Sequence, residues 1–379
     1  MPDFYKVFIS AGESSGDIHG ANLMSCMMNK NPRIQFYGLG KNRMKQAGLH
    51  CLHDMSAKSL MWLHVLTELT TFFKMKRDCI RFFRQERPGL VILIDYCGFN
   101  FHLARAAKKL KIPVVYYVCP QLWAHGPWRV KKLKKLVDKL IVIYPFEKPL
   151  YEAAAIPVTY VGHPLFDEIY KHGVDEGRVS ELKKTGEPVV AFLPGSRRQE
   201  IVRLLPLFLQ AAELIHQAIP TTQFLISCSD DHYLSLIQNI ARESTIPCKI
   251  IHGNVHEIIK ASSLCIAGAG TITLQIAYYL KPMIILYKIS PFAYFIARPF
   301  LTTPYIGLIN ALAQKTIVPE LLMLRKNYRW LAREAVQFLK NDQKRQNCRN
   351  ELVSLIDTVG RPGASEHATE EVLKLICGA

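Results

Sequence analysis

Four short segments of this chain set glycines beside hydroxyl, carboxylate or guanidinium groups, each directly after an apolar run. The first is Ala11-Gly12-Glu13-Ser14-Ser15-Gly16-Asp17, which follows Val7-Phe8-Ile9. Glycine lets a backbone approach a ligand closely, and amides at the start of a following helix favour anions. The segment has neither the Gly-Lys-Ser/Thr ending of a P-loop nor the GxGxxG spacing of dinucleotide sites. An ordinary turn with Ser or Asp as helix N-cap is the plain alternative. The crowding of Glu13, Ser14, Ser15 and Asp17 in one loop favours a ligand role. In the second segment Asp95 ends the apolar run Val91–Ile94 and precedes Tyr96-Cys97-Gly98-Phe99-Asn100. An unpaired buried carboxylate is costly, so Asp95 is expected to face a polar cleft. There it suits a general base, a role worth about 10²–10⁴-fold in rate. Its alternative is a cap on the next helix.

The third segment is Leu193-Pro194-Gly195-Ser196-Arg197-Arg198-Gln199-Glu200, a tight turn into a helix with guanidinium groups beside it. Arginine binds diphosphate oxygens in two-pronged fashion; a capped helix start with solvated arginines is the alternative. The fourth is Ala267-Gly268-Ala269-Gly270-Thr271-Ile272-Thr273-Leu274-Gln275. It offers a second set of backbone amides, or merely close helix–sheet packing.

These loops need strands to carry them. Short β-rich runs alternate with helical patterns: Lys6–Ser10, Gln35–Leu39, Val91–Ile94, Val114–Val118, Leu140–Ile143 and Thr159–Val161. A polar stretch near Lys171 to Glu187 interrupts them, and the pattern restarts at Val189–Leu193, Gln223–Ser227, Lys249–Ile251, Leu264–Ala267 and Met283–Leu286. The alternation predicts two doubly wound α/β domains with parallel sheets. Domain boundaries are expected at 1–170 and 185–350, with a helical segment 351–379 packing back on the first domain. Such sheets bind ligands at the carboxyl ends of their strands, where all four segments lie.

Lys and Arg number 48 against 31 Asp and Glu, a formal net charge of +17. A phosphorylated substrate, an anionic membrane surface or nucleic acid could absorb that excess. No helix-turn-helix, RNP or zinc-finger signature supports nucleic acid. The ten cysteines include no C-x-x-C pair, so zinc and redox motifs are not expected. His252 and His256 have i,i+4 spacing without a third nearby ligand. No signal peptide or spanning helix is expected, and scattered thiols suit a cytosolic protein.

Taken together, the segments resemble the lipid-A-disaccharide synthase family. The residues that carry the likeness are Gly12-Glu13-x-Ser15-Gly16-Asp17, Asp95 with Phe99-Asn100, Pro120 with Trp123-Ala124, Pro145-Phe146-Glu147, Gly162-His163, Leu193-Pro194-Gly195-Ser196-Arg197-x-x-Glu200, Gly270-Thr271, Pro291-Phe292 and Asn310. The likeness runs from about Val7 to Leu322. It implies a GT-B fold, two Rossmann-like domains facing a cleft. It also implies an inverting transfer from UDP-2,3-diacylglucosamine to 2,3-diacylglucosamine 1-phosphate (lipid X), giving a β-1,6 disaccharide and UDP. No metal or cofactor is implied. Asp95 matches the base; Gly195, Ser196, Arg197 and Glu200 match the diphosphate loop. Gly270, Thr271, Gln275 and Asn310 match the donor side, and Glu13, Ser15, Gly16 and Asp17 the acceptor loop. The chain departs from the pattern at Cys97 and Gly98, where the family has Pro and Asp, at Ser14 for Ala, and at Gln275 for a ribose-binding Glu.

Acylated substrates stay in the membrane, because each buried CH₂ adds about 0.8 kcal/mol. The resemblance therefore implies peripheral binding at the cytoplasmic face of the bacterial inner membrane. The basic, apolar stretches Ser59–Arg84 and Arg129–Lys139 are the expected contacts, although a core face plus a solvated face explains either stretch alone. A homodimer stays open. The competing functions are another UDP-sugar transferase or epimerase of this architecture, and a nucleotide-sugar-binding protein without turnover.

Overall fold

A computed structural model describes residues 4–55, 65–120, 122–123, 127–183, 187–298, 303–323 and 327–377. The first sheet contains β1 (Tyr5–Ala11), β2 (Ile34–Gly40), β3 (His50–Asp54), β4 (Leu90–Ile94), β5 (Val114–Tyr117), β6 (Lys139–Val142) and β7 (Val158–Tyr160). Its order is β3-β2-β1-β4-β5-β6-β7, with every pairing parallel. The second contains β8 (Val189–Leu193), β9 (Gln223–Cys228), β10 (Cys248–His252), β11 (Leu264–Gly268), β12 (Met283–Lys288) and β13 (Glu320–Met323). It is also parallel throughout, in the order β10-β9-β8-β11-β12-β13.

The central strands carry the core. Every residue of β4 and β8 is buried, as expected for strands covered by helices on both faces. Phe8 of β1 meets Phe83 of the helix Val65–Glu86 edge to face at 4.7 Å. In the second sheet Phe192 packs on Phe208 at 5.5 Å and Phe224 at 5.6 Å. Two strands escaped the sequence reading, β3 and β13. Both are edge strands with mostly half-buried residues; β3 shows no continuous apolar run, and the Leu321-Leu322-Met323 run of β13 is too short for periodicity to tell strand from helix.

The chain forms two compact units, residues 1–168 with 361–379, and residues 169–360. The return to the first unit thus begins at Arg361 rather than at 351, because the helix Asp342–Val359 stays with the second. In the first unit the helix Ala364–Cys377 starts on Asp167, whose carboxylate accepts from the amides of Gly363 (2.6 Å), Ala364 (3.2 Å) and Ser365 (2.8 Å). Glu371, midway along it, pairs with Lys139 and accepts from the Thr159 hydroxyl at 3.0 Å. Those two pairings, together with Lys374, hold the Glu371 carboxyl down to about 2.

Both strand orders reverse beside their first strand, between β1 and β4 and between β8 and β11. Such switch points are where doubly wound sheets open a crevice for ligand. The register aligns Ala11 with Ile94 and Ala267 with Leu193. All four loops singled out in the sequence therefore leave the sheets at switch points, two in each unit.

Candidate functional site

In the first unit the loops after β1 and β4 touch. A Cβ added to Gly12 would run into the Tyr96 ring, with atoms at 2.5–2.9 Å. That close approach is why glycine stands there. Glu13 is half-buried. Burial, and then the Glu13 charge, raise the Tyr96 hydroxyl pKa. A Cβ added to Gly16 would meet Ala11 and Ile94 at 3.4 Å, so the helix Ser14–Lys30 packs on the sheet at this point.

Asp95 is half-buried, and its backbone is left-handed (φ 44°), as is that of Tyr96 (φ 47°). Each such non-glycine residue stores about 1–3 kcal/mol and persists only where its surroundings over-determine it. Here they do. The Asp95 carbonyl accepts from Asn100 Nδ2 at 2.8 Å and from the Tyr116 hydroxyl at 2.5 Å. Its amide donates to the carbonyl of Val118, itself left-handed at φ 55°. Asn100 is fully buried; it also donates to the Ile94 carbonyl at 3.1 Å and accepts from the Ser10 hydroxyl at 2.8 Å. The strained corner is thus wired to β1, β4 and β5. Sequence reading missed Ser10 and Tyr116. Ser10, a hydroxyl in an otherwise apolar strand, was the available signal.

Asp17 was expected at the acceptor, and the structure corrects this. It is buried, and its carboxylate accepts from the amides of Lys41 (2.6 Å), Arg43 (2.9 Å) and Met44 (3.3 Å). Those bonds start the helix Asn42–Gln46, so Asp17 is a cap. Ser15 is exposed. His163 is buried; its Nδ1 accepts from the Leu165 amide and its ring meets His19 at 5.9 Å. Burial lowers the pKa of both imidazoles, His19 to about 4. His125 and Ala124 lie outside the described residues.

In the second unit the turn after β8 depends on Gly195, at φ +112°. The Glu200 carboxylate accepts from the Ser196 amide (3.1 Å) and the Arg197 amide (3.3 Å). It occupies the space that a Cβ on Gly195 would need. Glu200 therefore shapes the loop from inside. It also occupies the amides of Ser196 and Arg197, and the exposed Arg197 guanidinium lies 3.5 Å from the same carboxylate. After β11, Gly270 and Thr271 are exposed, and open space surrounds Gly270. Gln275 is half-buried, and its Oε1 has no hydrogen-bond partner among the described residues.

Asn310 is the second correction. It was expected to contact the donor, but it is fully buried, donating to the Val318 carbonyl (2.9 Å) and accepting from the amides of Ile317 (2.9 Å) and Val318 (3.1 Å). It pins the turn into β13. Glu320 does similar work that sequence reading missed, accepting from the amides of Ile306 (3.0 Å) and Gly307 (2.8 Å).

The surface expected to meet a membrane is only partly described, since residues 56–64 lie outside the described set. Met75, Phe82 and Phe83 of the following helix belong to the core, whereas Phe73 is exposed. Lys131, Lys132, Lys134 and Lys135 are all exposed, and Trp128 next to them is 56% exposed. No described helix is long and apolar enough to cross a membrane.

Among solved structures the chain is similar to a UDP complex of MnaA from S. aureus, with TM-score 0.66, 13% identity and 98% and 96% of the two chains covered. It is also similar to MurG from Acinetobacter baumannii, with TM-score 0.57, 13% identity and 98% and 99% covered. At that identity the likeness shows the fold, which is GT-B. A model of the lipid-A-disaccharide synthetase family matches residues 7–373. The lipid-A-disaccharide synthase of Syntrophus aciditrophicus is 38% identical over 98% of this chain and 97% of its own. That of Trichlorobacter lovleyi is 35% identical over 98% and 97%. With a match of this length on a GT-B frame, the chain belongs to the lipid-A-disaccharide synthase family, glycosyltransferases of lipid A biosynthesis.

Proposed function

We propose that Asp95 is the general base of an inverting transfer that joins UDP-2,3-diacylglucosamine to lipid X. The carboxylate takes the proton of the acceptor 6-hydroxyl. The freed oxygen attacks the anomeric carbon of the donor, the bond from that carbon to the diphosphate oxygen breaks, and UDP leaves with the electron pair. Attack from the face opposite the leaving group gives the β-1,6 linkage. The observation that carries this reading is the left-handed Asp95–Tyr96 corner at the switch point, held by Asn100 and Tyr116. Strain held in place by so many bonds marks a functional position.

Arg197 is assigned to the diphosphate, with Glu200 and Gly195 positioning its loop. Gly270, Thr271 and Gln275 are assigned to the donor. The unpartnered Gln275 carbonyl is a suitable acceptor for a ribose hydroxyl. Glu13 and Ser15, beside Tyr96, are assigned to the acceptor.

Asp95→Ala tests the base. Disaccharide formation, followed by mass spectrometry, is expected to fall by about 10²–10⁴-fold, with UDP affinity retained. Unchanged turnover refutes the assignment. A wild-type protein that binds UDP and forms no disaccharide would support a binding protein instead.

Peripheral association with an anionic leaflet fits the exposed lysines at 131, 134 and 135, each worth about 1 kcal/mol near such a surface. Reversing their charge is expected to abolish flotation with vesicles containing phosphatidylglycerol. Unaltered flotation removes this patch from the contact.

A further inference from the structure

A cavity of about 380 Å³ opens along the helix that begins two residues after Asp95. Cys97, Gly98, Phe101, His102 and Arg105 of the helix Cys97–Lys109 form one wall. Residues 98, 101, 102 and 105 follow the i, i+3, i+4, i+7 spacing of one helix face. Trp128, Arg129 and Lys132 form the opposite wall. Among the described residues that line the cavity none is Asp or Glu. Lys132 stands over the Phe101 ring at 5.2 Å, so its ammonium is held at the wall by a cation–π contact. Gly98 has nothing within 4 Å of where a Cβ would be, which keeps the end near Asp95 open. The cationic end is at Arg105, about 10 Å along the helix at 1.5 Å per residue.

We propose that this cavity is an acceptor subsite in which Arg105, Arg129 and Lys132 bind the phosphate monoester of the sugar while Trp128 flanks the ring. The proposal rests on the reading of Asp95 as the group that receives the acceptor hydroxyl. A hexose 1-phosphate carries its 6-hydroxyl and its phosphate at opposite ends of the ring. The cavity begins at Cys97 and Gly98, two and three residues after the base, and its cations run from Lys132 over Phe101 to Arg105, about 10 Å from Gly98 along the helix. The planar guanidinium fork can donate in parallel to two oxygens of a phosphate. Trp128, 56% exposed, offers the kind of apolar face on which sugar C–H groups pack. The field is already set for an anion. Burial lowers the His102 pKa, and Lys76, Arg105 and Lys132 push it further down. His102 is thereby neutral at pH 7 and can donate one N–H without adding charge.

An anionic phospholipid headgroup carries the same chemistry, so the test separates the two sources. Initial rates are measured with lipid X and with 2,3-diacylglucosamine lacking the phosphate. Flotation with phosphatidylglycerol vesicles is followed in parallel. Wild-type protein is expected to favour lipid X in kcat/KM. In the Arg105→Ala/Lys132→Ala double variant that preference is expected to fall by about tenfold or more, the loss associated with charge-assisted bonds. UDP affinity checks that the variant is folded, and Arg105→Lys/Lys132→Arg is expected to restore most of the preference. A folded double variant with the wild-type preference overturns the proposal. If its flotation is lost as well, the cavity serves a membrane phospholipid instead. Failure of the base assignment looks different: Asp95→Ala would then turn over both acceptors.

Discussion

Replacing Asn100 by alanine tests whether the strained corner matters to chemistry, because Asn100 lies behind Asp95 and acts only through it. In the structure Asn100 Nδ2 bonds to the carbonyls of Ile94 and Asp95, and its Oδ1 accepts from Ser10. Each bond contributes about 0.5–1.5 kcal/mol net, and a buried partner left unsatisfied costs about 1–3 kcal/mol. Asp95 and Tyr96 each store about 1–3 kcal/mol of backbone strain. Without Asn100 the Asp95 carbonyl loses one of its two described donors, and the Tyr116 hydroxyl remains. If relaxation out of the left-handed state gains about 1.5–3 kcal/mol, the competent population falls about 10- to 100-fold, at 1.36 kcal/mol per decade. Initial rates of disaccharide formation should show that loss in kcat, with the KM for the UDP donor changed less than about twofold, because no donor-loop residue is touched. Tyr116→Phe removes one bond to the same carbonyl and keeps the ring. It should cost less, and the double variant should be non-additive. A folded Asn100→Ala protein with full kcat, or one whose only defect is UDP affinity, would refute the reasoning.

The remaining expectations concern stability. Burial pushes the Glu147 carboxyl from 4.5 up to about 8, against the opposing bond from the Tyr144 amide. Between those two values the folded chain holds a proton that the unfolded chain has released, so stability falls as pH rises through that window. The total is on the order of 4–5 kcal/mol, at 1.36 kcal/mol per unit. Glu147→Gln should therefore gain in melting temperature over wild type progressively from pH 5 to 8; a pH-independent difference would show that Glu147 is already ionised. Asp167→Ala removes three amide bonds at the start of the C-terminal helix. A loss of about 1–2 kcal/mol is expected from a removed helix cap. Amide exchange should rise first in residues 363–377, and uniform exchange across the first unit would count against a local role.

The loops were legible because a parallel sheet separates its parts in sequence. Apolar runs such as Val91–Ile94 and Val189–Leu193 are buried on both faces, and whatever follows them at a switch point is presented to ligand. The edge strand β3 lacked that signal, since half-buried residues need not be apolar, and the apolar part of β13 is three residues long, too short to declare a strand. Polar side chains in the loops were harder, because a carboxylate in a loop reads the same whether it meets a ligand or a backbone amide. The amides of Asp17 lie 24 to 27 residues away, and nothing in the sequence connects them. Asn310 spends its amide on a turn seven and eight residues on. Glu200 was readable in principle, since a residue three past the N-cap that bonds back to it is the capping-box arrangement. These three differ from Asp95 in which atoms are engaged. Asp17, Glu200 and Asn310 use their side chains to fix someone else's main chain. At Asp95 the fixing bonds run the other way, from Val118, Asn100 and Tyr116 to its own amide and carbonyl. The main chain of Asp95 is thus fixed from three sides, which is what the proposed base role asks of the residue that carries the carboxylate.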